Sequence, residues 1–417
     1  MGPVAVMRVR TRRFLCGHAN DEPGEESTVT RRDDNTPGLF GPADEPPGKP
    51  SSNPTGRVGG VRGGGRGKAP LEAAAHGREL VELGHALPSG LRLGTSSWSF
   101  PGWTGLVWGR DQSPADLSKR GLAAYAAHPL FRTVGLDRTY YQPMSAGQLA
   151  DLRAQVPPGF RFLVKAHQAC MRPIVTEHAT FSVGQAQIGD ANPLFLDPVY
   201  ATDHVVGPCV QGLGVGPDGA LGPILFQFSP MSVKKLGGSH ALLDKLAAFL
   251  ERLPMSGTGT DGRPLYAVEV RNDELLTLHY AEVLRAHGVA HGFAVHPALP
   301  SPDQQVIRLA GSTEREKLIA FIQSQPALVA RWLLIEGQEY EAAKHRYEPF
   351  DRVVDADDRS RDVLAALVKR ALGLGPDHGA AASGREAYII VNNKAEGSAP
   401  RSIERLAARV IVDKREG

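Results

Sequence analysis

The sequence predicts an α/β fold: a single (β/α)8 TIM-type barrel with long insertions, preceded by a disordered N-terminal tail. From residue 91 onward, short apolar runs alternate with segments of helical periodicity, as in a parallel sheet covered by helices. Eight such runs can be placed, which is the arithmetic of a barrel; an open doubly wound sheet usually shows about five or six and a nucleotide fingerprint. Composition also changes sharply near residue 70, which separates the tail from the folded part.

The elements follow in order. Residues 1–70 are dominated by Gly, Pro, Ser, Asn and charge, with no periodicity. The Arg/Gly stretch 58–67 has too little apolar surface to offset its ordering entropy. It resembles an RNA-contacting Arg/Gly segment, and the simpler reading is a solvated linker. Residues 71–90 are a lead-in, with one amphipathic helix expected over 71–87. The barrel takes 91–417, with strands expected at 91–95, 133–137, 161–165, 224–227, 267–271, 293–296, 306–309 and 388–392. The clearest helix carries Leu242, Leu243, Leu246, Phe249, Leu250 and Leu253 and stops at Pro254. Another carries Val363, Leu364, Leu367, Val368 and Ala371. One nucleotide-like fingerprint occurs, Gly214-Val215-Gly216-Pro217-Asp218-Gly219. It should follow a strand and open a helix, but Pro217 interrupts it and a strand follows, so it is rejected as a dinucleotide site.

Bulk properties narrow the function classes. The chain is 41% hydrophobic and 22% charged, with a formal net charge of +2, so nothing global demands DNA or an anionic membrane as partner. Cys16, Cys170 and Cys209 are odd in number and far apart, which fits a reducing compartment better than a disulfide framework. No apolar run approaches the roughly 20 residues of a membrane span. Arg8, Arg10, Arg12 and Arg13 are followed by acidic residues, not by an apolar stretch, which argues against a signal or transit peptide. The expected location is cytoplasmic.

Five segments stand out as motifs: Gly94-Thr95-Ser96-Ser97-Trp98-Ser99-Phe100 with Pro101-Gly102-Trp103, and Pro158-Gly159-Phe160-Arg161-Phe162 with Val164-Lys165-Ala166. Gly222-Pro223-Ile224-Leu225-Phe226-Gln227, Val268-Glu269-Val270-Arg271 and the stretch from Asn392 to Pro400 complete the set. Together they resemble the YecE-like family (domain of unknown function 72). They span 91–405 in the expected order. The resemblance implies a TIM-type barrel and no particular reaction. The chain departs from the family pattern at Gly135, where members carry an acidic residue, and at Asp137, where they carry Asn. It also has Ala310-Gly311 in place of a His-Gly after the seventh strand, and longer segments at 169–221 and 331–384.

In such barrels, chemistry sits at the C-terminal ends of the strands. Glu269 and Arg271 emerge on one side of the fifth strand, either as an acid/base with its tuning partner or as a mutually neutralised structural pair. Lys165 ends the third strand two residues before His167. A desolvated lysine can act as base or Schiff-base former, or it can hold an anion. Thr95, Trp98, Asp137, Tyr140, Tyr141, Gln227, Arg308, Asn392, Asn393 and Lys394 are expected to line the ligand site. The aromatics among them suit a sugar or base face, or serve as packing. Gly311-Ser312 and Asn392-Asn393-Lys394 would supply a phosphate site at the last two strands. The carboxylates and histidines are too few for a metal cage: His291 and His296 bracket one strand and stand roughly 16 Å apart at about 3.3 Å per residue. No cofactor is expected. Residues 339–350 and the acids after them read as an insertion, either a lid or a solvated face.

The sequence thus points to an enzyme acting by metal-independent acid/base chemistry on a phosphorylated or otherwise anionic small molecule. A nucleic-acid-binding barrel tethered by the Arg/Gly tail, and a non-catalytic binding barrel suggested by Gly135 and Ala310, remain as alternatives. Replacing Glu269 by Gln is expected to remove turnover and leave the fold largely intact. All of this requires Lys165, Glu269 and Asn392 to meet at one rim.

Overall fold

The computed structural model describes residues 71–411 apart from 178, 182–183, 336 and 375–383; the expected disordered tail, with Cys16 and the Arg/Gly run, lies outside the described residues. Eight parallel strands close in sequence order into a barrel. They are β1 (Leu91–Thr95), β2 (Phe131–Leu136), β3 (Arg161–Lys165), β4 (Leu221–Gln227), β5 (Tyr266–Glu269), β6 (Ala290–Val295), β7 (Leu328–Trp332) and β8 (Ala387–Val391). Closure is regular: β8 pairs with β1 from Leu91 opposite Ala387 to Thr95 opposite Val391. Every residue of β3 to β8 is buried, because helices cover the outside and side chains fill the inside.

The alternation of side chains along each strand sorts these residues into two cores. Leu163, Leu225, Ala267, Ala290, Val329, Tyr388 and Ile390 belong to a small cluster that fills the cylinder. Their neighbours Phe162, Val164, Phe226, Val268, Phe293 and Ile389 join the larger layer under the helices. Continuing the same parity to the C-terminal ends points Ser96, Asp137, Lys165, Gln227, Glu269, Arg331 and Asn392 inward. The opposite end is plugged by polar groups. Arg92 Nε donates to Glu386 at 2.7 Å, Tyr388 donates to the same carboxylate, and Arg161 reaches the Gly216 carbonyl at 3.0 Å. Gly94 admits the close approach of β2: a Cβ there would lie 1.9 Å from the Thr133 carbonyl oxygen.

Both helices singled out by periodicity form, as Gly238–Arg252 and Asp358–Leu372, and each buries its apolar stripe. The glycine-rich decoy follows the helix Gly207–Leu213 and leads into β4, the reverse of the dinucleotide-binding order.

Two expectations fail. Residues 306–309 are not the seventh strand; they lie in the helix Pro302–Ala310, and the strand is Leu328–Trp332. The nine residues between the runs 293–296 and 306–309 are too few for a parallel crossover, which needs a dozen or more. Val306 and Leu309, both buried, are an i, i+3 helical pair. The lead-in helix is also shorter than expected. It spans Arg78–Ala86 with Gly77 extended, and the preceding residues run as a strap in which Ala73 bridges to Trp108 and Ala74 N donates to Val107 O at 3.0 Å.

Candidate functional site at the barrel mouth

The inward parity of β2, β3, β4, β5 and β7 gathers one charged group at the C-terminal rim. Glu269 is fully buried and its Oε1 lies 2.5 Å from Arg271 NH2. Arg331 NH1 donates to the same carboxylate at 3.2 and 3.4 Å and to Gln227 Oε1 at 2.8 Å. The other end of that guanidinium reaches Asp137 Oδ2 at 3.5 Å. Two arginines therefore share two carboxylates. Asp137 is the more accessible acid, with 18% of its side chain exposed.

Lys165 completes the group. Its Nζ stands 4.0 Å from the centre of the Tyr140 ring, and its side chain makes no hydrogen bond or ion pair among the described residues. Tyr140 is fixed at its far end, where Arg172 Nε donates to the hydroxyl at 3.1 Å and Ser229 Oγ lies 3.0 Å away. Burial lowers the Lys165 ammonium to about 7; Asp137 and Glu269 oppose the shift, while Arg331 and Arg271 reinforce it. Burial likewise lowers Arg271 to about 10, with Glu269 opposing. His296, buried at the end of β6 near both arginines, is pushed down to about 3 by burial and by their charge, so it is a neutral imidazole whose Nδ1 accepts from Ala298 N.

The sequence-predicted residues divide accordingly. Lys165, Asp137, Tyr140, Gln227, Glu269 and Arg271 meet at the mouth. Asn392 joins on the same rim, half-buried, with Nδ2 3.4 Å from Ser96 Oγ and Oδ1 accepting from Lys394 N. The others lie elsewhere. Thr95 has outward parity and bonds to the Tyr125 hydroxyl at 2.9 Å in the helix layer. Trp98 is packed in the outer core and donates to the Leu117 carbonyl. His167 is held between Tyr141 O and the Tyr200 hydroxyl, 3.3 and 2.9 Å from its two nitrogens, and burial lowers it to about 4. Tyr141 packs edge-on against Tyr140. Asn393 accepts from Trp103 Nε1 and Ala399 N, and Lys394 lies buried over the Tyr340 ring; both brace loops. Arg308 is exposed on its helix and pairs with Asp273 at 3.1 Å, and Gly311 caps the same helix, so neither belongs to a phosphate site at the seventh strand.

Arg331 is the residue that sequence reasoning missed, because the wrong segment was taken as the seventh strand. Its signal was the apolar run Ala327-Leu328-Val329-Ala330 just after Pro326, broken by a single inward charge. No group of three or more His, Cys, Asp or Glu among the described residues is arranged to hold a metal ion. An open depression of about 770 Å³ lined by His76, His85 and Arg132 lies at the other end of the barrel, where Gly84 precedes β1 and Pro129 precedes β2.

A family model described as protein of unknown function DUF72 matches residues 92–416. The chain belongs to the DUF72 family. Two solved DUF72 family structures are similar to it. One, from Enterococcus faecalis V583, is 17% identical, with 77% of this chain and 95% of that one covered and a TM-score of 0.47. The other, from Thermotoga maritima MSB8, is 19% identical, with 76% and 97% covered and a TM-score of 0.46. No curated protein matches the chain. Among the described residues of this DUF72 barrel, no helix is long and apolar enough to cross a membrane. With β7 relocated, Ala310 is a helix residue, so its difference from the family's His-Gly no longer bears on the mouth.

Proposed function

We propose that this DUF72 barrel is an enzyme that binds a phosphorylated or otherwise anionic small molecule at its C-terminal mouth and acts on it by acid/base chemistry. One observation carries the reading: Arg271, 3% exposed at the rim, has Nε and NH1 buried without a hydrogen-bond acceptor while only NH2 engages Glu269. Buried donors left unmet cost about 1–3 kcal/mol each and more when charged, so such a group calls for an anionic acceptor. The charge balance agrees, with Lys165, Arg271 and Arg331 facing Glu269 and Asp137. In this arrangement Glu269 organises the arginines, Arg271 takes the anion, and the groups left to react are Asp137, the more exposed acid, and Lys165, whose amine titrates near neutrality.

Calorimetric titration with inorganic phosphate tests it. The expected result is saturable binding that weakens at least about tenfold in Arg271→Met, the loss of roughly one charge-assisted contact. Binding that is absent in the native chain, or unchanged in the variant, overturns the reading.

A further inference from the structure

The reading of the mouth as an anion site leaves the chemistry of Lys165 open, and the surroundings of its amine narrow it. Both carboxylates within range are already engaged by guanidinium groups, Glu269 by Arg271 and Arg331, and Asp137 by Arg331. The amine rests instead on the face of Tyr140, whose hydroxyl is fixed by Arg172 and Ser229. A lysine recruited as a simple counter-ion would sit on a carboxylate. This one is buried, held in place by an aromatic platform and left without an acceptor, which are the conditions for an amine nucleophile.

We propose that Lys165 is the covalent centre of this site, and that its amine condenses with the aldehyde or ketone carbon of an anionic carbonyl substrate. The inference rests on the anion-binding reading, since Arg271 would hold the substrate's charged end. In the step, the neutral amine attacks the carbonyl carbon; the C–N bond forms as the C=O π pair moves to oxygen, which takes a proton. The nitrogen then loses one proton, the oxygen gains another and leaves as water, and a protonated imine remains. Amine, carbonyl and one proton give iminium and water, with no change in oxidation state. Asp137, the partly exposed acid beside the amine, is placed to pass the protons.

The groups facing Lys165 are Asp137 and Tyr140 after β2, Glu269 and Arg271 on and after β5, and Arg331 on β7. Their balance, with burial, sets the titration near 7 against 10.5 for an ordinary lysine. At neutral pH about half of Lys165 is then neutral, against under ~0.1% of an exposed lysine. The experiment is reductive trapping of the full chain with glyoxylate and borohydride, followed by peptide mapping. The expected result is an adduct on Lys165 at least about tenfold above that on exposed Lys234 and Lys235 at pH 7. Its rate should rise through pH 6 to 8 and then level off, because the reactive form is the deprotonated one. No adduct at Lys165, or a rate still climbing toward pH 10, overturns the proposal. Phosphate binding that depends on Arg271 without a Lys165 adduct leaves the anion site standing and removes the imine. An adduct without phosphate binding removes the anion site instead.

Discussion

At the scale of single residues, the mouth is governed by how one carboxylate is shared. Glu269 is the counter-charge of two guanidiniums that are themselves almost fully buried, with side-chain exposures of 1% for Arg271 and 5% for Arg331. A glutamine in its place would keep the shape and remove the charge that makes burying both arginines tolerable. Breaking a buried pair by neutralising one partner typically costs about 3–5 kcal/mol. Urea unfolding of Glu269→Gln should therefore show a stability loss of that order, a cost that the sequence-based expectation of a largely intact fold did not include. A loss below about 1 kcal/mol would mean that the arginines are satisfied without Glu269. The sequence made Glu269 and Arg271 visible because two charges at one strand end are rare. It did not show that a third charge, sixty residues on, already occupied the carboxylate, because that contact depends on barrel closure.

At the scale of elements, legibility followed length and pairing. β1 and β3 were placed correctly because each is an apolar run bounded by Gly or Pro, and the long helices because their stripes repeat over several turns. The seventh strand was lost where an amphipathic helix of nine residues carried a Val-Ile-Arg-Leu run that mimics a strand. The insertion after β7 was visible as extra length, but its attachment was not. It is docked on the β8 exit loop. Lys394 Nζ lies 4.1 Å from the Tyr340 ring, Val354 N and Asp355 N donate to the Glu396 carbonyl, and Asp357 N donates to its carboxylate at 2.7 Å. Glu396 is fully buried and also pairs with Arg361. Its replacement by Gln should leave Arg361 with only the exposed Asp358 as counter-charge and loosen the insertion without disturbing the cylinder. Hydrogen exchange is the measurement: amides of 354–361 should exchange at least about tenfold faster, equal to about 1.4 kcal/mol of local opening, while those of β4 and β5 stay protected. Uniform acceleration across the barrel would show that the clamp belongs to the global fold instead.

At the scale of the whole molecule, a closed cylinder concentrates risk at its seam. The barrel closes only when β8, the last strand, pairs with β1, the first, and the segment that covers this seam is the terminal helix Ala399–Ile411. Its buried face, Ile403, Leu406, Val410 and Ile411, joins the main core alongside Leu91 and Leu93 of β1 and Leu364 and Val368 of the preceding helix. Burying four such side chains contributes on the order of 6–12 kcal/mol, comparable with the entire ~5–15 kcal/mol by which a domain is stable. A chain ending at Gly397 would thus keep all eight strands and still have too little to hold the cylinder shut. The expected outcome is a truncated protein with residual helical circular dichroism, rapid proteolysis and no cooperative urea transition. A truncated chain that unfolds in one transition, with a slope like that of the full chain, would show that strand pairing alone closes the seam. The mouth depends on the same closure, because Lys165 on β3, Glu269 on β5 and Arg331 on β7 share a rim only while the ring is complete. Loss of phosphate binding should therefore accompany loss of the cooperative transition.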